Sequence, residues 1–216
     1  MNCIVTAGPT YEPMDNVRRL TNLSTGQLGT ELANFLAAHG HEVTLLIGEQ
    51  ATFGGERHAH HVLPFSTTAN LREQLHRLSR SPADAVFHTA AVSDYTFGKI
   101  WTRSASGELA EAKSGKISTR EGALLAELVP TPKIIAELRD WFPASQLVGW
   151  KYEVDGTRAD ALRAAEKQTR DCRTNACVAN GRAYGDGFGL LNADGKRVHL
   201  ADKPALFGAL AKFVEI

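Results

Sequence analysis

The sequence predicts an α/β fold, a Rossmann-like, mostly parallel sheet with helices on both faces. Two observations lead there. Short strand-like runs alternate with helical patterns along most of the 216 residues. Val43–Ile47 is an apolar run of the kind that a strand buried on both faces of a parallel sheet shows. A third observation marks a departure: residues 95–129 are too long for an ordinary loop and read as an insertion leaving the sheet after the Ala90–Tyr95 strand end.

Each element has its own signal. Cys3–Ala7 is a β-rich run that stops at Gly8-Pro9-Thr10. Leu28–His39 is helical, with Leu28, Leu32, Phe35 and Leu36 on one face and Gly40 ending it. Residues 61–65 form a strand, and residues 68–78 form a helix through Leu71, Leu75 and Leu78. Residues 85–91 read as the next strand. A helix over 131–141 opens at Thr131 with Pro132 in its first position. A strand at 146–151, a helix at 157–172 and a strand at 176–180 follow. A hairpin joins 188–192 to 197–200 through Asp194-Gly195, and a helix over 203–214 closes the chain.

Hydrophobic residues make up 43% of the chain, enough for the core of one domain spanning 1–216 with the insertion at 95–129. The 24 Lys and Arg balance the 24 Asp and Glu, which argues against nucleic acid or an anionic membrane as partner. Three cysteines, an odd number with no Cys-x-x-Cys pair, argue against a disulfide framework or a zinc site. The chain opens directly into a strand-like run, with no signal peptide ahead of it and no membrane-spanning apolar run. A cytoplasmic location is expected.

Four segments carry chemistry-bearing residues toward the carboxyl ends of the strands, where open parallel sheets bind ligands. They are Thr6–Thr10, continuing to Glu12, Asp15 and Arg19; Thr21–Gly29; Thr89–Tyr95; and Lys113–Ser118. Alone, each is equally an ordinary turn, a helix cap at Ser24 or Thr25, an Asp cap, or a solvated lysine. The second segment is neither a Walker A loop nor G-x-G-x-x-G. Its small hydroxyl residues and glycines at a helix start suit an anion. Asp94 suits Mg²⁺.

Together these motifs resemble the phosphopantothenoylcysteine synthetases. The matches run in order: Thr6–Thr10, Glu12-Pro13, Asn22–Gly26, Ala90–Tyr95, Lys116-Ile117, Leu128–Ile135, Gly149–Glu153 and Val178–Asn180. The resemblance implies a ligase that joins 4'-phosphopantothenate to cysteine through an acyl-nucleotide. It implies CTP or ATP as co-substrate, Mg²⁺, a homodimer, and no flavin in this domain. It also implies roles for residues. Asn22 and Lys116 are catalytic; Gly8, Ser24, Thr25, Gly26, Ala90, Asp94, Trp150, Lys167 and Asn180 bind nucleotide; Asp94 holds the metal.

Three positions depart from the family's pattern. Pro9 replaces a glycine and Thr25 a serine. The helix before Val178–Asn180 has one lysine, Lys167, where bacterial members show two. With Lys151, this resembles the ATP-using branch. Three other readings stay open: a nicotinamide-dependent Rossmann-type reductase, with Glu49 as its ribose-binding acid; a paralogue acting on another phosphorylated acid; and a binding module without activity.

Overall fold

A computed structural model describes residues 1–112, 115–118, 120 and 122–214. Its core is an eight-stranded sheet in the order β13-β12-β11-β10-β6-β1-β4-β5. The six strands β1 (Asn2–Ala7), β4 (Glu42–Gly48), β5 (His61–Phe65), β6 (Ala85–His88), β10 (Gln146–Tyr152) and β11 (Ala176–Asn180) are parallel. β12 (Phe188–Asn192) and β13 (Arg197–Leu200) extend one edge as the antiparallel hairpin expected from Asp194-Gly195.

The parallel strands run outward in both directions from β1 and β6, so the topological switch point lies between those two. Alternate residues of each strand feed opposite faces. Val5, Leu45, Phe87, Val148 and Val178 pack under α1 (Gln27–Ala38) and α5 (Lys203–Ala211). Ile4, Leu46, Val86 and Leu147 pack under α2 (Thr68–Leu78) and α3 (Ile134–Trp141). Cys177, Ala179 and Leu191 meet Ala161 and Ala165 of α4 (Arg158–Asp171). Helices thus cover both faces, as the sequence predicts.

The insertion has structure of its own. β7 (Tyr95–Arg103), β8 (Leu109–Glu111) and β9 (Ala123–Pro130) form an antiparallel sheet in the order β8-β7-β9. A second small hairpin, β2 (Tyr11–Pro13) with β3 (Arg19–Thr21), intervenes between β1 and α1.

Several boundaries differ from expectation. β6 stops at His88 because Thr89–Ala91 turn toward Gly8, where Ala91 N donates to the Gly8 carbonyl at 3.0 Å. The helix expected from Thr131 begins at Ile134. Thr131 instead donates its hydroxyl to the Ser93 carbonyl and its N–H to that of Asp94, which ties it to the loop after β6. α1 is not capped by Ser24 or Thr25: its N-cap is Gly26, at φ 78°, with no side-chain cap. The last helix ends at Ala211, and residues 212–214 turn.

Candidate functional site

The site assembles at the switch point. Gly8 ends β1 at φ +79°, and a Cβ there would lie 2.9 Å from Ala51 Cβ. One on Gly26 would meet the same atom at 2.9 Å and Gly8 Cα at 3.3 Å. The turns after β1 and β4 and the start of α1 therefore touch through backbone alone. Any side chain would push them apart, which is the physical reason for glycine there.

The loop after β6 is sewn to this cradle. Ala90 N donates to Thr6 Oγ1 at 3.1 Å, and Ser93 N to Thr10 Oγ1 at 2.8 Å. Asn22 closes the far side: its Nδ2 donates to the carbonyls of Ala91 (3.2 Å) and Val92 (3.1 Å). Gly8, Asn22, Gly26 and Ala90 are thus brought into one place, with Ser24 and Thr25 between Asn22 and Gly26. Thr25 Oγ1 accepts from Gln27 N at 3.2 Å, outside the first turn of α1.

Beneath the cradle, Thr6 and His88 form a buried pair. Thr6 Oγ1 accepts from Ala90, so its own proton goes to His88 Nδ1 at 3.0 Å. The ring is therefore neutral, with its proton on Nε2. Burial pushes its pKa down to about 4.

Lys116 reaches the site through a clip that sequence reading did not resolve. The turn of the β2–β3 hairpin holds it. Asp15 Oδ1 accepts from Val17 N (2.9 Å) and Arg18 N (2.7 Å), and Asp15 Oδ2 accepts from Ile117 N (3.2 Å). Arg18 Nη2 donates to the Ile117 carbonyl, and Asn16 N to that of Gly115 at 2.9 Å. The backbone donors, Val17 first, hold the Asp15 carboxyl below the usual carboxylate range. Lys113 and Ser114 of the same motif lie outside the described residues. The Glu12-Pro13 motif has a structural task as well: Glu12 is buried, and its Oε1 accepts from Thr68 N at the start of α2.

The remaining candidates lie further along the sheet. Asp94, past β6, is exposed and pairs with Lys133 at 2.6 Å. Among the described residues no three His, Cys, Asp or Glu gather to hold a metal. One carboxylate still fits Mg²⁺ carried on substrate phosphates, the usual way that ion is held. Trp150 and Asn180 end β10 and β11, and Trp150 Nε1 and Asn180 Oδ1 are buried with no hydrogen-bond partner. Orphaned buried polar atoms of this kind ask for a ligand or water. An open hollow of about 550 Å³ lies beside them, bordered by Tyr152, Asn180, Gly181 and Arg182. Lys167 is exposed on α4 and pairs with Asp171.

This geometry belongs with a sequence match. Residues 1–206 match the DNA/pantothenate metabolism flavoprotein C-terminal domain. The chain belongs to that family. The "Coenzyme A biosynthesis bifunctional protein CoaBC" of Thermococcus kodakarensis is 31% identical over 178 residues, covering 82% of this chain and 40% of that protein. The chain thus spans less than half the length of that relative. Among solved structures, the DNA/pantothenate metabolism flavoprotein from Streptococcus pneumoniae superposes with a TM-score of 0.84 at 25% identity, covering all of this chain and 98% of that one. A second, the Cab2 H337A mutant in complex with phosphopantothenate-cysteine, superposes at 0.71 with 18% identity, over 99% of this chain and 87% of that one.

Within this DNA/pantothenate metabolism flavoprotein domain, the sequence motifs hid two contributors. Asp15 clips Lys116 in place, with an Asx-type turn at Asp15–Arg18 as its only signal. Lys133 read as part of a helix start. No helix among the described residues is long and apolar enough to cross a membrane.

Proposed function

We propose that the chain is a phosphopantothenate–cysteine ligase acting in coenzyme A biosynthesis. The observation that carries this is the side-chain-free cradle of Gly8, Gly26 and Ala90 at the switch point, closed by Asn22. Its family membership and the printed names of its relatives support the reading; the solved Cab2 complex carries the reaction product itself.

In this mechanism the carboxylate oxygen of 4'-phosphopantothenate attacks the α-phosphorus of the nucleotide, and pyrophosphate leaves. The cysteine amine then attacks the acyl carbon. The nucleoside monophosphate departs, and the nitrogen loses its proton to complete the amide. Backbone N–H groups around Gly26, with the hydroxyls of Ser24 and Thr25, face the phosphates. Trp150 Nε1 and Asn180 Oδ1 meet polar groups of the nucleotide. Lys116 neutralises charge that grows at phosphorus, and Asn22 borders the acyl group. Bound Mg²⁺, held by Asp94 and the phosphates, supplies further charge neutralisation.

The catalytic entity in this reading is a homodimer. Exposed apolar side chains gather on the β2–β3 hairpin, the next loop and the insertion: Val17, Leu20, Leu23, Tyr95, Leu109 and Leu128. A patch of this kind marks an interface. Ile100 of the insertion is already buried within the chain. Sedimentation equilibrium at micromolar concentration should give twice the chain mass; a pure monomer would exclude the dimer.

ATP is expected to serve at least as well as CTP. The test is an amide-forming assay with 4'-phosphopantothenate, cysteine, Mg²⁺ and each nucleotide in turn. Product with at least one nucleotide is expected, and no product with either would overturn the ligase.

A further inference from the structure

The groove between α3 and α4 carries an arrangement that the proposed mechanism does not use. A Cβ on Gly149 would lie 2.6 Å from Ile135 Cδ1 of α3 and 2.4 Å from Gln168 Nε2 of α4. That face of β10 therefore opens directly between the two helices. Side chains alternate along a strand, so Lys151 is the next residue on the same face, nearer the strand's carboxyl end. Lys133 is the N-cap of α3, two residues before Ile135, and Lys167 immediately precedes Gln168. Three ammonium groups from three elements border one groove beside the cradle. The positive end of the α3 dipole points the same way. Cys172 at the end of α4 reports their closeness. Burial raises its thiol pKa, while Lys133, Lys151 and Lys167 each pull it back.

Each lysine is balanced by a carboxylate. Lys133 pairs with Asp94 at 2.6 Å, Lys151 with Glu153 at 3.7 Å, and Lys167 with Asp171. The Lys133 pair is about two-thirds exposed on both sides, so water screens it and little energy holds it. Its backbone is firmer, because Thr131 N donates to the Asp94 carbonyl at 3.0 Å. Both side chains thus swing on short, fixed tethers.

We propose that Lys133 is a polyphosphate-binding residue, kept neutralised by Asp94 until a triphosphate enters the groove and takes its place. This rests on the ligase reading. It supplies the second cation that α4 lacks, from a different element.

Titration calorimetry with inorganic tripolyphosphate, ATP and AMP, without divalent metal, tests it. Lys133→Ala should bind tripolyphosphate and ATP about tenfold more weakly, the scale of one charge-assisted contact. AMP binding should be unchanged, and Lys133→Arg should restore the affinity. Asp94→Asn should bind tripolyphosphate more tightly than the native protein, since the competing carboxylate is gone. Native affinity for tripolyphosphate in Lys133→Ala, or an equal loss for AMP, would overturn the assignment while leaving the ligase reading intact. A native protein that binds no triphosphate, with or without Mg²⁺, would overturn both.

Discussion

Replacing His88 by asparagine should remove most of one acid-sensitive component of stability. His88 is 6% exposed and its pKa falls from 6.5 to about 4, with burial as the cause. The folded value lies below the unfolded one. Between pH 6.5 and about 4 the unfolded chain therefore binds a proton that the folded chain refuses. Stability falls as pH falls through that window and levels off below it. A difference of about 2.5 in pKa corresponds to about 3 kcal/mol in full, of which about 2 kcal/mol is lost between pH 7 and pH 4.5. The asparagine side chain cannot titrate, and its amide oxygen can still accept from Thr6 Oγ1. Other groups, including Asp15, Asp160 and Asp171, titrate alike in both proteins. Urea unfolding of both at pH 7, 5.5 and 4.5 isolates the effect. The native chain's advantage over the variant at pH 7 should shrink by about 2 kcal/mol by pH 4.5. A gap that stays constant across this range would refute the buried neutral imidazole.

The other predictions concern close packing and the Lys116 clip. Gly29→Ala should destabilise despite alanine's helix propensity, worth about 1 kcal/mol. Its Cβ would lie 2.4 Å from Thr89 Oγ1 and 2.6 Å from Ala7 Cβ, and overpacking costs about 1–3 kcal/mol; a raised melting temperature would contradict this. Asp15→Asn should speed tryptic cleavage after Lys116 and lower turnover, with the far-UV spectrum unchanged. Cleavage at the native rate would mean the clip does not hold that segment. Lys116→Ala, folded, should lose about a hundredfold or more in turnover, measured by release of pyrophosphate.

Much of the sheet was legible because its signals are local. Val43–Ile47 has no polar face to give to water, so it reads as an interior strand. Asp194-Gly195 turns a hairpin wherever it stands between two β-rich runs. Thr157 and Asp160 form the capping box that starts α4 where the sequence places it. The boundaries that moved answer to distant partners. β6 ends early because Ala91 pairs with Gly8, and α3 starts late because Thr131 bonds to Ser93 and Asp94.

The motifs named Gly8, Asn22, Gly26, Ala90 and Lys116 as candidates, because residue type and spacing along the chain are one-dimensional facts. Only the tertiary structure decided what each one touches. It put Asn22 against the carbonyls of Ala91 and Val92, some 70 residues away. It bound Ile117 to Asp15 across 102 residues, and turned Glu12 from a motif residue into the anchor of α2. It set Lys133 beside Asp94 and in line with Lys151 and Lys167. Periodicity records which face of an element is buried. Hydrogen bonds and ion pairs between side chains far apart in the chain arise only when the sheet order brings their elements together.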